Sequence, residues 1–316
     1  MKRTRNCIVK SLSVFLIFMA FADQGYAASH YVPGTLGGFD DAQLPPPGWN
    51  PSFDIAFYSA DKLMDGSGNK EDLDFELNAF AAAATLFYTS EAPKLLGARL
   101  GSRLVIPYLR EDVELSVPTP DGPLTLLDVE EDGFGDISIA PIILGWGTQE
   151  SAFNGFLGFS VGIPTGDFDG AKDENAGEGF WSFHLEGGGS LFLDQSHNWW
   201  VSAITTISLN GEQEDTDIDV GDELSIEYGV GRLFQVGPVL INPALAGFSY
   251  WKLNADDNPN VPDGEEGRYI KYAVGPELSV FILPADIVIK LRYLHEFGAE
   301  NGPEGKNISL TLKYTF

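Results

Sequence analysis

Alternation between apolar and polar residues is clearest at the C-terminal end of the chain. Ile308, Leu310, Leu312, Tyr314 and Phe316 share one parity, while asparagine, serine, threonine and lysine residues share the other. Because successive side chains of a β-strand point to opposite faces, this segment predicts a strand with one apolar and one polar face. In a soluble sandwich the apolar face would pack on a core, whereas in an outer-membrane barrel it would contact lipid.

Similar runs recur along the rest of the chain. We predict strands at 52–60, 73–87, 97–109, 134–146, 152–163, 180–192, 199–209, 223–234, 239–251, 269–282, 286–297 and 307–316. An even number of strands suits a single-chain bacterial barrel, and several runs reach the length that a tilted membrane strand needs. The pattern therefore predicts an all-β protein, a closed antiparallel transmembrane β-barrel of about twelve strands over residues 52–316.

The connections between these runs alternate between long and short. The six connections of the longer set carry 30 of the 46 acidic residues but only 7 of the 19 lysines and arginines. Barrels of the outer membrane have short periplasmic turns and longer outer loops, and a soluble sandwich has no reason to alternate in this way. One rim of the barrel is therefore expected to be strongly acidic.

The N-terminal segment has the order of a secretory signal peptide. A basic start is followed by an apolar run over 11–22 and by the small-x-small site Gly25-Tyr26-Ala27. We predict that residues 1–27 are removed on export. The apolar run is too short to span a bilayer, and no later run approaches the roughly 18 apolar residues of a transmembrane helix. The expected location is the bacterial outer membrane.

Charge and cysteine content exclude several classes of function. Losing residues 1–27 would remove four basic residues and one acidic residue, which changes the net charge from −27 to −30. A chain this acidic repels phosphate, so no nucleic-acid partner is expected. The only cysteine, Cys7, lies in the predicted signal. The acidic loops lack EF-hand spacing, and we predict neither a metal nor a cofactor.

Residues 28–51 are rich in glycine and proline and do not alternate. A run of consecutive prolines forbids a central strand, so we predict an extended N-terminal arm. At about 3 Å per residue the arm is long enough to enter the barrel as a plug. The candidate plug residues are Tyr31, Pro33, Pro46 and Trp49. A periplasmic tail is the alternative.

Charged residues on the polar faces of the predicted strands are expected to line the lumen. These lumen candidates are Asp54, Asp74, Glu76, Arg99, Arg103, His184, Glu186, Lys290, Arg292 and Lys313. Closing the barrel would place the basic last strand beside the acidic first one, which would create a polar filter with a transverse field. The alternative is that these charges pair with one another in a filled lumen.

A lipid hydrolase is a further alternative, because Ser182 and His184 lie on one face of a predicted strand. The nucleophile of such an enzyme should face lipid, and its histidine needs an orienting partner. Here the pair shares the predicted lumenal face, opposite Trp181 and Phe183. We therefore predict no catalytic residues and no enzyme activity.

Several short motifs resemble, in their order along the chain, the outer-membrane family of the meta-pathway of phenol degradation. That family is itself similar to the FadL-type channels for fatty acids and aromatic hydrocarbons. They are His30-Tyr31-Val32-Pro33-Gly34, Pro45-Pro46-Pro47-Gly48, Gly133-Phe134-Gly135-Asp136-Ile137, Pro164-Thr165-Gly166-Asp167-Phe168-Asp169, Phe180-Trp181-Ser182-Phe183 and the terminal Phe316. The resemblance implies a monomeric barrel for passive uptake of small hydrophobic or aromatic compounds. FadL-type channels use their N-terminus as a plug, which makes the same role plausible here.

The partners expected from this resemblance are outer-membrane lipid and lipopolysaccharide, small hydrophobic or aromatic solutes, and the barrel-assembly machinery. The assembly machinery would recognise the C-terminal Phe316. A non-transporting structural or adhesive surface barrel, in which the acidic loops carry the function, is the main alternative.

Overall fold

A computed structural model describes residues 30–92, 94–120, 122–148, 151–172, 175–258 and 268–315. The predicted signal peptide and the terminal Phe316 lie outside these residues. Within them the chain is almost entirely β-strand, and the helical element is a single 3₁₀ turn at Leu283–Ala285. No helix in the described part of the chain has the length and apolar character to cross a membrane.

Fourteen strands follow one another in the described chain. They are β1 (Gly48–Met64), β2 (Asp74–Thr89), β3 (Arg99–Val117), β4 (Leu124–Phe134), β5 (Ile137–Trp146), β6 (Phe153–Ile163), β7 (Ser182–Phe192), β8 (Trp199–Asn210), β9 (Glu223–Arg232), β10 (Phe234–Val236), β11 (Val239–Lys252), β12 (Ile270–Ile282), β13 (Ile287–Glu300) and β14 (Gly302–Tyr314).

These strands form one closed antiparallel barrel. Twelve of them pair in sequence order around the ring, with β3 paired to β5 and β9 to β11, and β14 closes the ring on β1 with Asp54 opposite Thr311. Among the described residues, β4 pairs with β3 alone and β10 with β11 alone. β4 leads into β5 across a break at 135–136, and β9 leads into β10 across a break at 233. The wall therefore has twelve strands, which confirms the predicted fold class.

The barrel is apolar outside and polar inside. Phe53, Leu291 and Leu312 point outward and are about half exposed, whereas Glu227 and Arg292 point inward and are buried. This arrangement would be unfavourable in water, because it leaves a continuous apolar belt uncovered. It is favourable in a bilayer, where hydrocarbon covers the belt and closure leaves no unpaired strand edge.

Aromatic rings lie at both margins of the apolar belt. Trp49 and Tyr88 pack together near the end where β1 begins, with ring centroids 4.8 Å apart. At the opposite end Tyr272 packs against Trp251 and Phe297, each at 5.9 Å. Amphipathic rings favour the two membrane–water interfaces, so these groups mark the limits of the membrane-embedded wall.

The main departure from the predicted strands concerns residues 110–133. They were expected to form a loop, but β3 continues to Val117 and pairs with β4, which pairs with no other strand among the described residues. Together with the first half of β2 these strands form a three-stranded extension beyond the apolar belt. Periodicity missed it because polar residues occupy its outward face, where water replaces lipid.

The positions of Asp74 and Glu76 follow from this extension and correct the prediction that both face the lumen. Both are exposed, and the inward positions of this part of β2 belong to Phe75 and Leu77. Glu76 lies opposite Glu114 of β3 on the outward face. The polar residues of an alternating strand face the lumen only where lipid covers the opposite face of the strand. Above the apolar belt no lipid covers the strand, so the rule does not apply there.

Candidate functional site: the lumen and the arm inside it

Residues 30–47 run through the interior of the barrel. His30 lies at the outer side, where its ring packs edge-on against Phe180 at 4.7 Å between centroids. The segment then descends to Leu44, which is buried against Ile143 of β5, and joins β1 at Gly48. Since short turns such as 237–238 occupy the same end as the start of β1, that end is the periplasmic one.

Wall side chains bind the backbone of this segment. Arg292 donates from Nη1 to the carbonyl oxygens of Gly34 and Leu36, at 2.6 and 2.5 Å. The hydroxyl of Ser202 donates to the carbonyl of Gly37 at 2.7 Å. An irregular segment inside a protein must satisfy its backbone groups in some way, and here polar side chains of the wall do so.

Glycines on both sides allow the arm and wall to touch. Gly37 has φ +98°, a backbone conformation that residues with a side chain rarely adopt. Opposite it in β9, a Cβ atom added to Gly229 would lie 2.7 Å from the carbonyl oxygen of Gly37. The close approach explains why glycine occupies both positions.

The strongest electrostatic contact joins the arm to the basic wall. Asp41 lies 2.6 Å from the Nζ atoms of both Lys290 and Lys313, and 3.5 Å from Arg292 Nη2. Asp40 contacts the same two lysines at 2.9 and 2.6 Å. Two adjacent carboxylates therefore pair with two lysines that converge from β13 and β14, and Asp41 also approaches Arg292.

A second cluster lies further towards the outer side. The buried carboxylate of Glu227 accepts hydrogen bonds from the Tyr31 hydroxyl and, at 2.8 Å, from the backbone N–H of Leu36. Arg292 also pairs with Glu277 of the neighbouring strand, at 2.5 Å. The arm thus completes a network in which each buried charge has a partner, as burial requires.

The outer end of the arm is fixed by Asp136, in the break between β4 and β5. Its carboxylate accepts hydrogen bonds from His30 Nε2 at 2.8 Å and from the N–H groups of Thr165, Gly166 and Glu178. Burial alone would raise the pKa of Asp136, but the hydrogen bonds from His30, Gly166 and Glu178 hold it below its usual value. One carboxylate therefore joins the arm to the outer loop 164–181.

His184 and Glu186 occupy the lumenal face of β7. Arg103 Nη2 donates to Glu186 at 2.6 Å, and the Ser160 hydroxyl donates to the same oxygen at 2.6 Å. The ring of His184 lies between two hydroxyls, Ser182 at 2.9 Å and Ser208 at 2.8 Å. Ser182 is fully buried and faces the lumen, and a serine occupies the place where a hydrolase would need an orienting carboxylate or amide.

The remaining predicted residues are distributed as follows. Asp54 lies inside and accepts a hydrogen bond from Thr311 at 2.5 Å, and Arg99 is half-buried at the start of β3. Pro33 is half-buried in the arm, and Pro46 is exposed near the periplasmic end. Trp49 points outward from β1 and is 50% exposed. Trp49 is therefore not a plug residue, because β1 begins one residue before it.

The transverse field predicted from the wall charges is not the arrangement found. Asp74 and Glu76 lie outside, and the basic side chains of Lys290, Arg292 and Lys313 face the arm. The charges pair locally, but of the predicted lumen residues Arg103 and Glu186 pair with each other, whereas Lys290 and Lys313 pair with carboxylates of the arm. Asp40 and Asp41 of the arm form these pairs, and the sequence did not predict them because no local pattern links them to lysines about 250 positions away.

An ion-selectivity measurement tests the role of the paired charges. Arg103→Ala removes the cation that faces Glu186 and leaves that carboxylate buried without its counter-ion. In planar bilayers we expect this variant to shift selectivity towards cations. Lys306→Ala, at an outward and exposed position of β14, is the control. Equal selectivity for the wild type and Arg103→Ala would show that Glu186 does not influence permeating ions.

No group of three or more histidine, cysteine, aspartate or glutamate residues in the described segments is arranged to hold a metal ion. Hydrogen-bonding and ion-pairing side chains line the interior around an extended segment. Such a lining can hold the segment in place and can release it if the ion pairs are broken.

Comparison with known proteins gives a family and a fold. The family model described as the MetA-pathway of phenol degradation matches residues 60–312. No curated protein matches the chain. An outer membrane channel from Pseudomonas putida F1 is similar in structure, with a TM-score of 0.69 and 17% identity, over 91% of this chain and 100% of that one.

Two autotransporter domains are also similar. The β domain of Bordetella BrkA has a TM-score of 0.54 and 9% identity, over 85% of this chain and 100% of that chain. The transport unit of AIDA-I from Escherichia coli has a TM-score of 0.52 and 11% identity, over 94% and 97%. At these identities the likeness establishes the fold, a closed barrel of the outer-membrane type.

Proposed function

Since the chain belongs to the family described as the MetA-pathway of phenol degradation and is a barrel of the bacterial outer membrane, we propose that it is a channel for passive uptake of small hydrophobic or aromatic compounds. The observation that carries this proposal is a segment of irregular backbone held in a polar lumen by breakable contacts. A purely structural barrel has no need for a removable interior segment.

Aromatic side chains lie in the lumen on both sides of the arm. On the outer side, the rings of Tyr58, Phe248 and Tyr269 surround the ammonium of Lys271 at 5.5, 5.9 and 5.1 Å. On the periplasmic side, Phe39 of the arm packs against Phe192 and Trp200. Apolar rings beside a few polar groups are the usual lining of sites for small aromatic ligands.

We propose that solutes are captured at the outer mouth and move along the lumen once the arm is displaced. The alternative route is a lateral exit through the wall at glycines of β7 and β9. However, a Cβ on Gly188 would lie 2.3 Å from the carbonyl of Ala203, and Gly229 and Gly231 pack against Trp200. Close packing therefore accounts for these glycines, which favours the axial route.

Liposome swelling tests the proposed function. Proteoliposomes containing the wild-type barrel are expected to swell faster with phenol or catechol than with a sugar of similar mass, since the lumen lining is aromatic and the route narrow. The control is protein-free liposomes, which correct for permeation of phenol through lipid. Rates equal to the control for every solute would contradict the uptake proposal and favour the structural barrel.

The structural or adhesive alternative is favoured by one observation. The outward face of the extension formed by β2, β3 and β4 is densely acidic, and like charges lie directly opposite one another across its strands. Glu114 lies opposite both Glu76 and Asp128, and Asp112 lies opposite Glu130, whereas Asp74 faces Ser116 and Asp132 faces Arg110. Cross-strand like charges cost stability, so their retention suits a surface role such as binding cations.

Two further partners complete the proposal. Lipopolysaccharide would surround the outer half of the belt, and the barrel-assembly machinery would recognise the C-terminal strand. The residue proposed for that recognition, Phe316, lies outside the described residues.

A further inference from the structure

Arg232 is a cation on the membrane-facing surface of the barrel. It ends β9 near the periplasmic side and lies opposite Trp199 of β8, whose side chain points outward. Its guanidinium carbon is 5.2 Å from the centroid of the Trp199 ring and 4.7 Å from that of Phe234. Two outward aromatic rings thus hold the guanidinium at the interfacial level of the wall.

Nothing in the described chain neutralises this guanidinium. Arg103 and Arg292 in the lumen each have a carboxylate partner, but no ion pair joins Arg232 to a described residue. Its Nε atom is buried and has no hydrogen-bond partner within the described structure. A guanidinium carries five N–H donors in a fork that matches phosphate oxygens, so the group is arranged to receive an external anion.

A hollow of about 390 Å³ lies beside Arg232 in the outward wall. It arises where β9 breaks before β10, opposite a proline in β11 that has no N–H to pair. Its other lining residues are apolar or small: Val230, Gly231, Phe234, Pro243, Ala244 and Leu245. Apart from the N–H groups of Trp199 and Arg232 at its edge, this lining is apolar and suits a hydrocarbon chain.

We propose that this surface binds an anionic phospholipid of the periplasmic leaflet. Its phosphate pairs with Arg232, and one acyl chain occupies the hollow. Charge complementarity selects the ligand, because the guanidinium is held between two rings without a carboxylate partner in the described chain, and a lipid with a net negative charge supplies one. The location near the short turn at 237–238 selects the leaflet, and the position outside the lumen makes the site independent of transport.

Native mass spectrometry in a neutral detergent tests the proposal. Purified barrel is titrated with phosphatidylglycerol and with phosphatidylcholine of the same acyl chains. For the wild type we expect one molecule of phosphatidylglycerol to bind at least about tenfold more tightly than phosphatidylcholine, because phosphatidylglycerol has a net negative charge, whereas the choline ammonium of phosphatidylcholine offsets its phosphate. In Arg232→Gln the two lipids should bind equally.

Two further variants make the result specific. Lys306→Gln removes an exposed, outward cation at the opposite end of the wall and should keep the wild-type preference. Trp199→Leu removes one ring beside the guanidinium and should weaken the preference for phosphatidylglycerol. This variant provides the test if Arg232→Gln does not fold. Equal binding of both lipids to the wild type, or an unchanged preference in Arg232→Gln, would overturn the proposal.

Discussion

Deletion of residues 30–47 is expected to raise the single-channel conductance of the barrel several-fold. The segment fills the interior from His30 to the start of β1, and its anchors Ser202 and Lys290 lie on wall strands that would remain folded without it. Removal leaves a polar lumen that water can enter. The measurement is single-channel recording in planar bilayers, with swelling assays on the same protein.

The control for this deletion keeps the arm and changes only an exposed contact. The Thr35 hydroxyl donates to the carbonyl of Val32, within the arm itself, so Thr35→Ala should conduct like the wild type. If the deleted protein folds but neither conductance nor uptake changes, the arm is not a plug. Heat-modifiable migration on a gel verifies that the deleted barrel is closed.

The barrel could be predicted from sequence because its constraint is local and repeats. Each wall strand must present apolar residues to hydrocarbon at every second position, and the run 307–316 shows this parity without any knowledge of its neighbours. The tight connections at 237–238 and 283–286 mark the periplasmic end in the same way. These features depend on residues that are close together in the chain, so they can be predicted from a single sequence.

The interior could be predicted only in part, because its contacts join residues far apart in the chain. Asp41 and Lys290 are 249 positions apart, and no periodicity relates them. Parity correctly places Lys290, Arg292 and Lys313 inside, but it cannot identify Asp40 and Asp41 as their partners. It also fails for Asp74 and Glu76, whose strand leaves the membrane while its alternation continues.

The two kinds of error have one physical origin. A polar face on a strand shows that water or a polar partner covers it, and it does not show which. In the middle of the wall the polar face is lumenal, because hydrocarbon covers the other side. Above the belt water covers the outward face, and the inward face is apolar, with Phe75 opposite the buried Leu115 and Leu77 opposite the buried Val113. Only the strand pairing fixes the height at which this change occurs.

Asp41→Asn is expected to loosen the arm with the largest effect of any single substitution in it. The carboxylate contacts Lys290, Lys313 and Arg292, and it accepts a hydrogen bond from the backbone N–H of Gly38 at 3.0 Å. Breaking a buried ion pair costs about 3–5 kcal/mol when the remaining charge stays enclosed. Here the cost is smaller, because water can enter once the arm moves.

The expected readout is a channel that opens in frequent bursts while the barrel keeps its melting temperature, since the wall strands are unchanged. Asp40→Asn is the matched control, because Asp40 contacts the two lysines but not Arg292 and is the more exposed carboxylate of the two. The Asp40→Asn channel should open in rarer bursts.

Combining Asp41→Asn with Lys313→Gln should give less than the sum of the two single effects, because both substitutions act on one contact. Strict additivity, or equal effects of the two aspartates, would show that the arm is held mainly by its backbone hydrogen bonds to Arg292 and Ser202.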